Sequence, residues 1–138
     1  MIVKNLMNDE VIHIFSGNTV FEASQEMAKH KRGLLVVMDN DDDRNVVGVI
    51  SDKDIVREIV SKKRNPQEVT IREVMSPKVI FISPMATLSE AMVLMRENKI
   101  KRLIVMEGKK LSGIISSNDI LDGMITYKKK LLDLALDF

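Results

Sequence analysis

Apolar positions along this chain recur in a fixed order of spacings, and that order is run through twice. Val11–Ile14 and Val79–Ile82 are short β-branched runs that predict strands, and Ser83-Pro84 forces an extended exit from the second. Next come Thr19-Val-Phe-Glu22 and Thr87-Leu-Ser-Glu90, both capping boxes. In such a box the threonine oxygen takes the amide three residues on, while the glutamate reaches back to the cap amide. Behind them Val20, Ala23 and Met27, and likewise Leu88, Ala91 and Met95, recur at spacings of 3 and 4. They predict amphipathic helices running to about Lys31 and Lys99. Leu34–Met38 and Leu103–Met106 read as buried strands. Polar connections over Asp39–Asn45 and Glu107–Lys110 lead to further strands at Val46–Ile50 and Leu111–Ile115. A last helix then starts after Ser51 and after Ser116. Each pass is strand, helix, strand, strand, helix.

The two passes are copies. Val3–Met38 lies over Ile71–Met106 without a gap at an offset of 68, and twelve of the thirty-six pairs are identical, among them Met7/Met75, Thr19/Thr87, Glu22/Glu90 and Leu35/Leu103. After a loop three residues shorter in the second copy, Gly48-Val-Ile-Ser51-Asp-Lys-Asp54-Ile55 faces Gly113-Ile-Ile-Ser116-Ser-Asn-Asp119-Ile120. The fold is therefore two copies of one α/β (α+β) unit, with sites expected in the pseudo-symmetric clefts between them. The division is residues 1–61 for the first repeat, 62–70 for a polar linker holding Pro66, 71–126 for the second repeat, and 127–138 for a helical tail that does not repeat. In the tail, Leu131, Leu134 or Ala135, and Phe138 fall on one helical face, with Leu132 and Leu136 beside it. A second chain would cover such a face, as would a fold-back onto its own domain.

Composition narrows the function. With 21 Lys+Arg against 20 Asp+Glu the net charge is +1, which argues against a nucleic-acid binder relying on a broad basic surface. The absence of cysteine rules out disulfides and thiolate metal sites. No apolar run approaches the ~18–20 residues of a membrane span, and no cationic stretch followed by an apolar run opens the chain. A cytoplasmic protein that does not enter the membrane is the expectation.

Chemistry is concentrated in the two Gly-φ-φ-Ser-x-x-Asp stretches (φ, apolar). Ser51 and Ser116 stand at strand-to-helix junctions, where unpaired helix N–H groups favour a phosphate or another anion. Asp54 and Asp119 lie three residues on, along the same helical edge, and a carboxylate there can accept both hydroxyls of a ribose. The same spacing is also a plain capping box, so a purely structural reading stands beside the ligand reading.

At these residues the chain resembles tandem cystathionine-β-synthase (CBS) domain proteins, or Bateman modules. The resemblance rests on the openings Val3-Lys-Asn-Leu-Met7 and Ile71-Arg-Glu-Val-Met75-Ser-Pro77, the Thr-φ-x-Glu-Ala helices, Lys101-Arg102-Leu-Ile-Val105, and the duplicated Ser-x-x-Asp, and it covers about residues 3–126. It implies two β-α-β-β-α repeats packed as a pseudo-twofold pair. Their clefts would take an adenosine-containing ligand: AMP, ADP, ATP, S-adenosylmethionine or an NAD-type dinucleotide. The family's ribose-binding pair corresponds to Ser51/Asp54 and Ser116/Asp119. Adenine would be held by the first strand of the other repeat, so Val11, Ile12 and Ile14 would work with Asp119, and Val79, Ile80 and Ile82 with Asp54. Lys101 and Arg102 match the family's phosphate-binding basic pair and are expected to serve the Ser51/Asp54 cleft, because the first copy has Gly33 and Leu34 instead. The resemblance further implies a non-enzymatic regulatory module that forms a homodimer and reports to an unidentified effector protein. The nucleotide would be a regulatory ligand, with no cofactor required. The rival expectation is an adaptor with empty clefts that binds a partner protein.

Other candidate chemistry falls away. Asp39-Asn-Asp-Asp-Asp43 lacks the glycine and glutamate of an EF-hand, with Arg44 and Ile50 at those places, and reads as a hydrophilic loop. His13 and His30 have no second ligand at a zinc spacing. The ten methionines read as adaptable core, and Lys128-Lys-Lys130 as a solvated helix end. No P-loop or nucleophile–base pair is visible.

Overall fold

A computed structural model describes residues 1–42 and 45–137. Asp43 and Arg44 of the acidic loop, and Phe138 of the tail, lie outside the described residues. In chain order the elements are α1 (Val3–Leu6), β1 (His13–Phe15), α2 (Val20–His30), β2 (Leu34–Met38), β3 (Val46–Ser51) and α3 (Asp52–Ile55), which runs on as a π-helical turn over Val56–Val60. They continue with α4 (Ile71–Val74), β4 (Phe81–Ile82), α5 (Leu88–Asn98), β5 (Arg102–Glu107), β6 (Lys110–Ser116) and α6 (Ser117–Leu136). Among the described residues no helix is long and apolar enough to cross a membrane.

Two compact units result, and each includes the opening segment of the other repeat. The first unit is Glu10–Val79; the second joins Met1–Asp9 to Ile80–Phe138. In the first unit β1 pairs parallel with β2 (His13 opposite Val36), and β2 pairs antiparallel with β3 (Leu34 opposite Ser51), with a bulge at Val37/Met38. The second unit repeats this as β4-β5-β6, with Phe81 opposite Ile104, Arg102 opposite Ser116, and the bulge at Val105/Met106.

The predicted caps form. Thr19 Oγ1 accepts the Glu22 amide at 3.1 Å, and Glu22 accepts the Thr19 amide at 3.3 Å. Thr87 and Glu90 do the same at 3.1 and 3.2 Å. Val20, Ala23 and Met27 of α2, and Leu88, Ala91 and Met95 of α5, are the buried positions. Both helices stop where Lys31 and Lys99 turn left-handed, at φ 54° and 53°. Each unit has its own apolar cluster. In the first, Ile14, Leu35, Val37 and Ile50 of the sheet meet α2 together with Ile59, Ile71 and Val74. In the second, Leu103, Val105 and Ile115 meet α5 together with Val3 and Ile120.

Two sequence expectations shift. The first strands begin two residues late: Val11 and Ile12, and Val79 and Ile80, precede β1 and β4. Those residues have only begun to pair, for Ile12 and Ile80 each lend one carbonyl to β2 or β5, accepting from Val36 and Ile104. The openings of both repeats also hold four-residue helices, α1 and α4, too short for a periodic signal. Beyond them the chain lays one extended residue against the strand that carries the glycine. Ser76 exchanges backbone hydrogen bonds with Val49 at 2.9 and 3.0 Å, and Asn8 does so with Ile114 at 2.8 and 2.9 Å. The C-terminal end of the predicted linker is part of the first unit, with Val69 buried and its carbonyl accepting the Val20 amide at 2.9 Å.

Candidate functional site

Each sheet ends its last strand in the same device. Ser51 closes β3 in extended conformation (φ −113°, ψ 161°) and caps α3; Ser116 closes β6 (φ −110°, ψ 162°) and caps α6. Asp54 donates its amide to Ser51 Oγ at 3.1 Å, and the Ser51 amide donates to Asp54 Oδ2 at 2.9 Å. For Ser116 and Asp119 the two distances are 3.0 and 2.8 Å. The capping reading is therefore correct in both repeats. It does not exhaust the carboxylate, because a carboxylate has two oxygens with about four acceptor sites. The cap occupies Oδ2 and fixes the side chain's rotamer. Both aspartates are half-buried, so the remaining oxygen is held in one orientation at the strand end.

The surroundings of the two devices differ. In the second unit Arg102 stands directly across from Ser116, and the Lys101 carbonyl accepts the Ser117 amide at 2.9 Å. Residues directly opposed in an antiparallel pair project on the same face. Arg102 thus shares a face of the sheet with Ser116, and both members of the basic pair are exposed. The resemblance assigns the pair to Ser51 and Asp54, which belong to the first unit; within its own unit the neighbour of Arg102 across the sheet is Ser116. In the first unit the equivalent places hold Gly33 and Leu34, with Leu34 across from Ser51 and the Gly33 carbonyl accepting the Asp52 amide at 2.9 Å. A Cβ on Gly33 would lie 2.9 Å from Asp52 Oδ2, so a carboxylate fills the space where a longer side chain would project. One strand end carries two cations and one carboxylate, the other two carboxylates and no cation from the matching positions.

The first-strand candidates divide by side. Ile14 is buried in the core of its unit, and Ile12, Ile80 and Ile82 pack against the cores of theirs, while Val11 and Val79 are half-buried. The outward positions between them are His13, Phe15 and Phe81. Phe81 is exposed, and His13 meets Phe15 edge-on with ring centroids 6.0 Å apart. Reading the apolar runs as a block missed these rings; strict alternation along Ile12-His-Ile14 and Ile80-Phe-Ile82 would have found them. Among the described residues no group of three or more His, Asp or Glu side chains is placed to hold a metal ion.

Comparison with known proteins adds the family context. The CBS domain family model matches residues 3–61 and again 71–126. An uncharacterized protein of Methanopyrus kandleri is 36% identical over 104 residues, which are 75% of this chain and 52% of that protein, so the chain spans about half that relative's length. An uncharacterized protein of Bacillus subtilis is 31% identical over 119 residues, 86% of this chain and 78% of its own. Among solved structures, a hexameric CBS-CP12 protein from bloom-forming cyanobacteria superposes with a TM-score of 0.77 at 26% identity, covering 88% of this chain and 69% of that one.

Proposed function

Because this chain belongs to the CBS-domain family, we propose that it is a non-enzymatic regulatory module whose Ser-x-x-Asp strand ends hold an adenosine-containing ligand. The observation that carries this reading is the pair Ser51/Asp54 and Ser116/Asp119: two carboxylates, each locked by a cap with one oxygen to spare, at equivalent strand ends. Asp119 accepts the ribose diol, and the exposed ring of Phe81 in the same unit offers a face to adenine. Arg102, with Lys101 beside it, meets the phosphates, since a guanidinium presents a rigid fork of donors. The first unit, with Gly33 and Asp52 in place of the cations, takes an uncharged or less phosphorylated ligand. Candidate ligands are AMP, ADP, ATP, S-adenosylmethionine and an NAD-type dinucleotide.

Binding acts by population shift: the ligand favours whichever arrangement of the module it binds better. A homodimer in the cytoplasm passes that preference to an effector protein. One observation favours the rival adaptor reading, namely that Asp54 and Asp119 already have structural work as caps. A thermal-shift screen with the five ligands separates the two. A ligand at 100 times its dissociation constant adds about 2.7 kcal/mol to stability, a clear rise in melting temperature. No shift with any of them leaves the adaptor reading.

A further inference from the structure

Helix α6 is twenty residues long, about 30 Å at ~1.5 Å per residue, and only its first turns rest on its own unit. Ile120 is buried there, and Leu6 packs over Gly123. The opposite side of the helix carries Leu121, Ile125, Lys128 and Leu132 at spacings of four, three and four, the seam of a two-helix coil. Leu121, Ile125 and Leu132 are each more than half exposed, at 58%, 60% and 55%. Surface leucines are ordinary singly, but a continuous stripe along one helix marks an interaction surface.

Charge decides what covers it. Lys128 sits in the middle of the stripe, so a parallel partner of the same sequence would bring two ammonium groups together at the seam. Running antiparallel about the midpoint of α6, between Thr126 and Tyr127, removes that conflict. Leu121 then lies across from Leu132 of the second copy, and Ile125 from the aliphatic stem of its Lys128, whose charged head leaves the seam. In the same register Asp122, which follows Leu121, flanks Lys129 of the second copy, which follows Lys128. Twofold symmetry makes each of these contacts occur twice. Neither Asp122 nor Lys129 has an ion-pair partner among the described residues.

We propose that α6 is a self-recognition helix: it pairs antiparallel with α6 of a second copy, with Asp122–Lys129 ion pairs setting the register. The inference rests on the homodimer reading above and names the surface that makes it. The native chain has no cysteine, so single cysteines report the register directly. Leu121→Cys and Leu132→Cys proteins, mixed and then oxidised, cross-link to each other, while neither cross-links to itself, its own copies lying about 16 Å apart at ~1.5 Å per residue. Self-cross-linking of each variant would mean a parallel pair and overturn the proposal. In sedimentation equilibrium Lys129→Asp weakens the dimer roughly tenfold by replacing two attractions with two repulsions, and adding Asp122→Lys restores it. A dimer indifferent to Lys129→Asp, with no mixed cross-link, overturns the helix pairing and leaves a dimer made elsewhere. A native protein that sediments as a monomer at micromolar concentration overturns both.

Discussion

Ser76 passes so closely over Gly48 that a Cβ at position 48 would lie 2.5 Å from the Ser76 carbonyl oxygen, with Met75 Sδ 2.9 Å away. The second unit repeats the relationship: a Cβ on Gly113 would lie 2.7 Å from the Asn8 carbonyl oxygen and 3.0 Å from Met7 Sδ. The glycine that opens each Gly-φ-φ-Ser-x-x-Asp stretch is thus required by the chain that crosses its strand. The crossing segment is held by two backbone hydrogen bonds to the residue next to the glycine. Each repeat's opening is fastened in this way three and six residues upstream of the serine and aspartate proposed to bind ligand.

Gly48→Ala and Gly113→Ala are expected to destabilise the protein by roughly 1–3 kcal/mol each, because a backbone carbonyl cannot yield as a flexible side chain can. Urea unfolding of the two variants measures it. The Gly108→Ala variant gives a contrast: nothing lies within 4 Å of its Cβ, and its cost comes only from a left-handed φ of 62°.

Arg102→Ala is expected to weaken a phosphorylated adenosine ligand roughly tenfold, the loss of one charge-assisted hydrogen bond of ~1.5–3 kcal/mol. Adenosine itself should bind almost as before. Parallel titrations of AMP and adenosine check this, and equal losses for both would assign Arg102 to the fold instead.

Glu22 and Glu73 give the chain an acid-side pH dependence. The Asn18 side chain and the Thr19 amide hold the Glu22 carboxyl below its ordinary value, and the Thr70 amide does the same for Glu73. A depressed folded-state value means the stabilisation is present above the unfolded value and lost as pH falls through the folded one. The loss therefore develops below pH 4.5, the ordinary glutamate value. A Glu22→Gln/Glu73→Gln protein should show a shallower fall in melting temperature over that range than the native chain.

Much of this architecture is legible in the sequence, and the reasons are local. The threonine–glutamate boxes before α2 and α5, and the apolar positions behind them, use neighbours three and four residues apart, so periodicity exposes them. Arg102 shows the limit. Its place at the start of a strand is plain, but facing Ser116 depends on the register of the β5–β6 hairpin, set by its turn and by the bulge at Val105/Met106, which the residue types alone do not display. The same holds for the exchange of openings. Met75-Ser76 and Met7-Asn8 carry no sign of which strand they cross, apart from the bare glycines that make room. His13 and Phe81 were hidden for a different reason: a four-residue run of mostly apolar residues masks the period-two alternation that sends its odd members outward.

Asp119→Asn separates the two roles of the motif. If the carboxylate only caps α6, the amide keeps one acceptor oxygen, the stability cost stays near ~1 kcal/mol or below, and ligand affinity hardly moves. If it also accepts a ribose diol, affinity falls tenfold or more while the melting temperature drops little. Asp54→Asn reports the same distinction for the first unit.

Calorimetric titration of the native protein shows whether an adenosine-containing ligand binds at these capped strand ends. AMP, ADP, ATP, NAD and S-adenosylmethionine are titrated in turn, and the best of them is repeated on Asp119→Asn. Saturable binding by at least one of the five, weakened by the substitution, is the expected result. Absence of binding by all five up to millimolar concentration, with the protein folded, would contradict it.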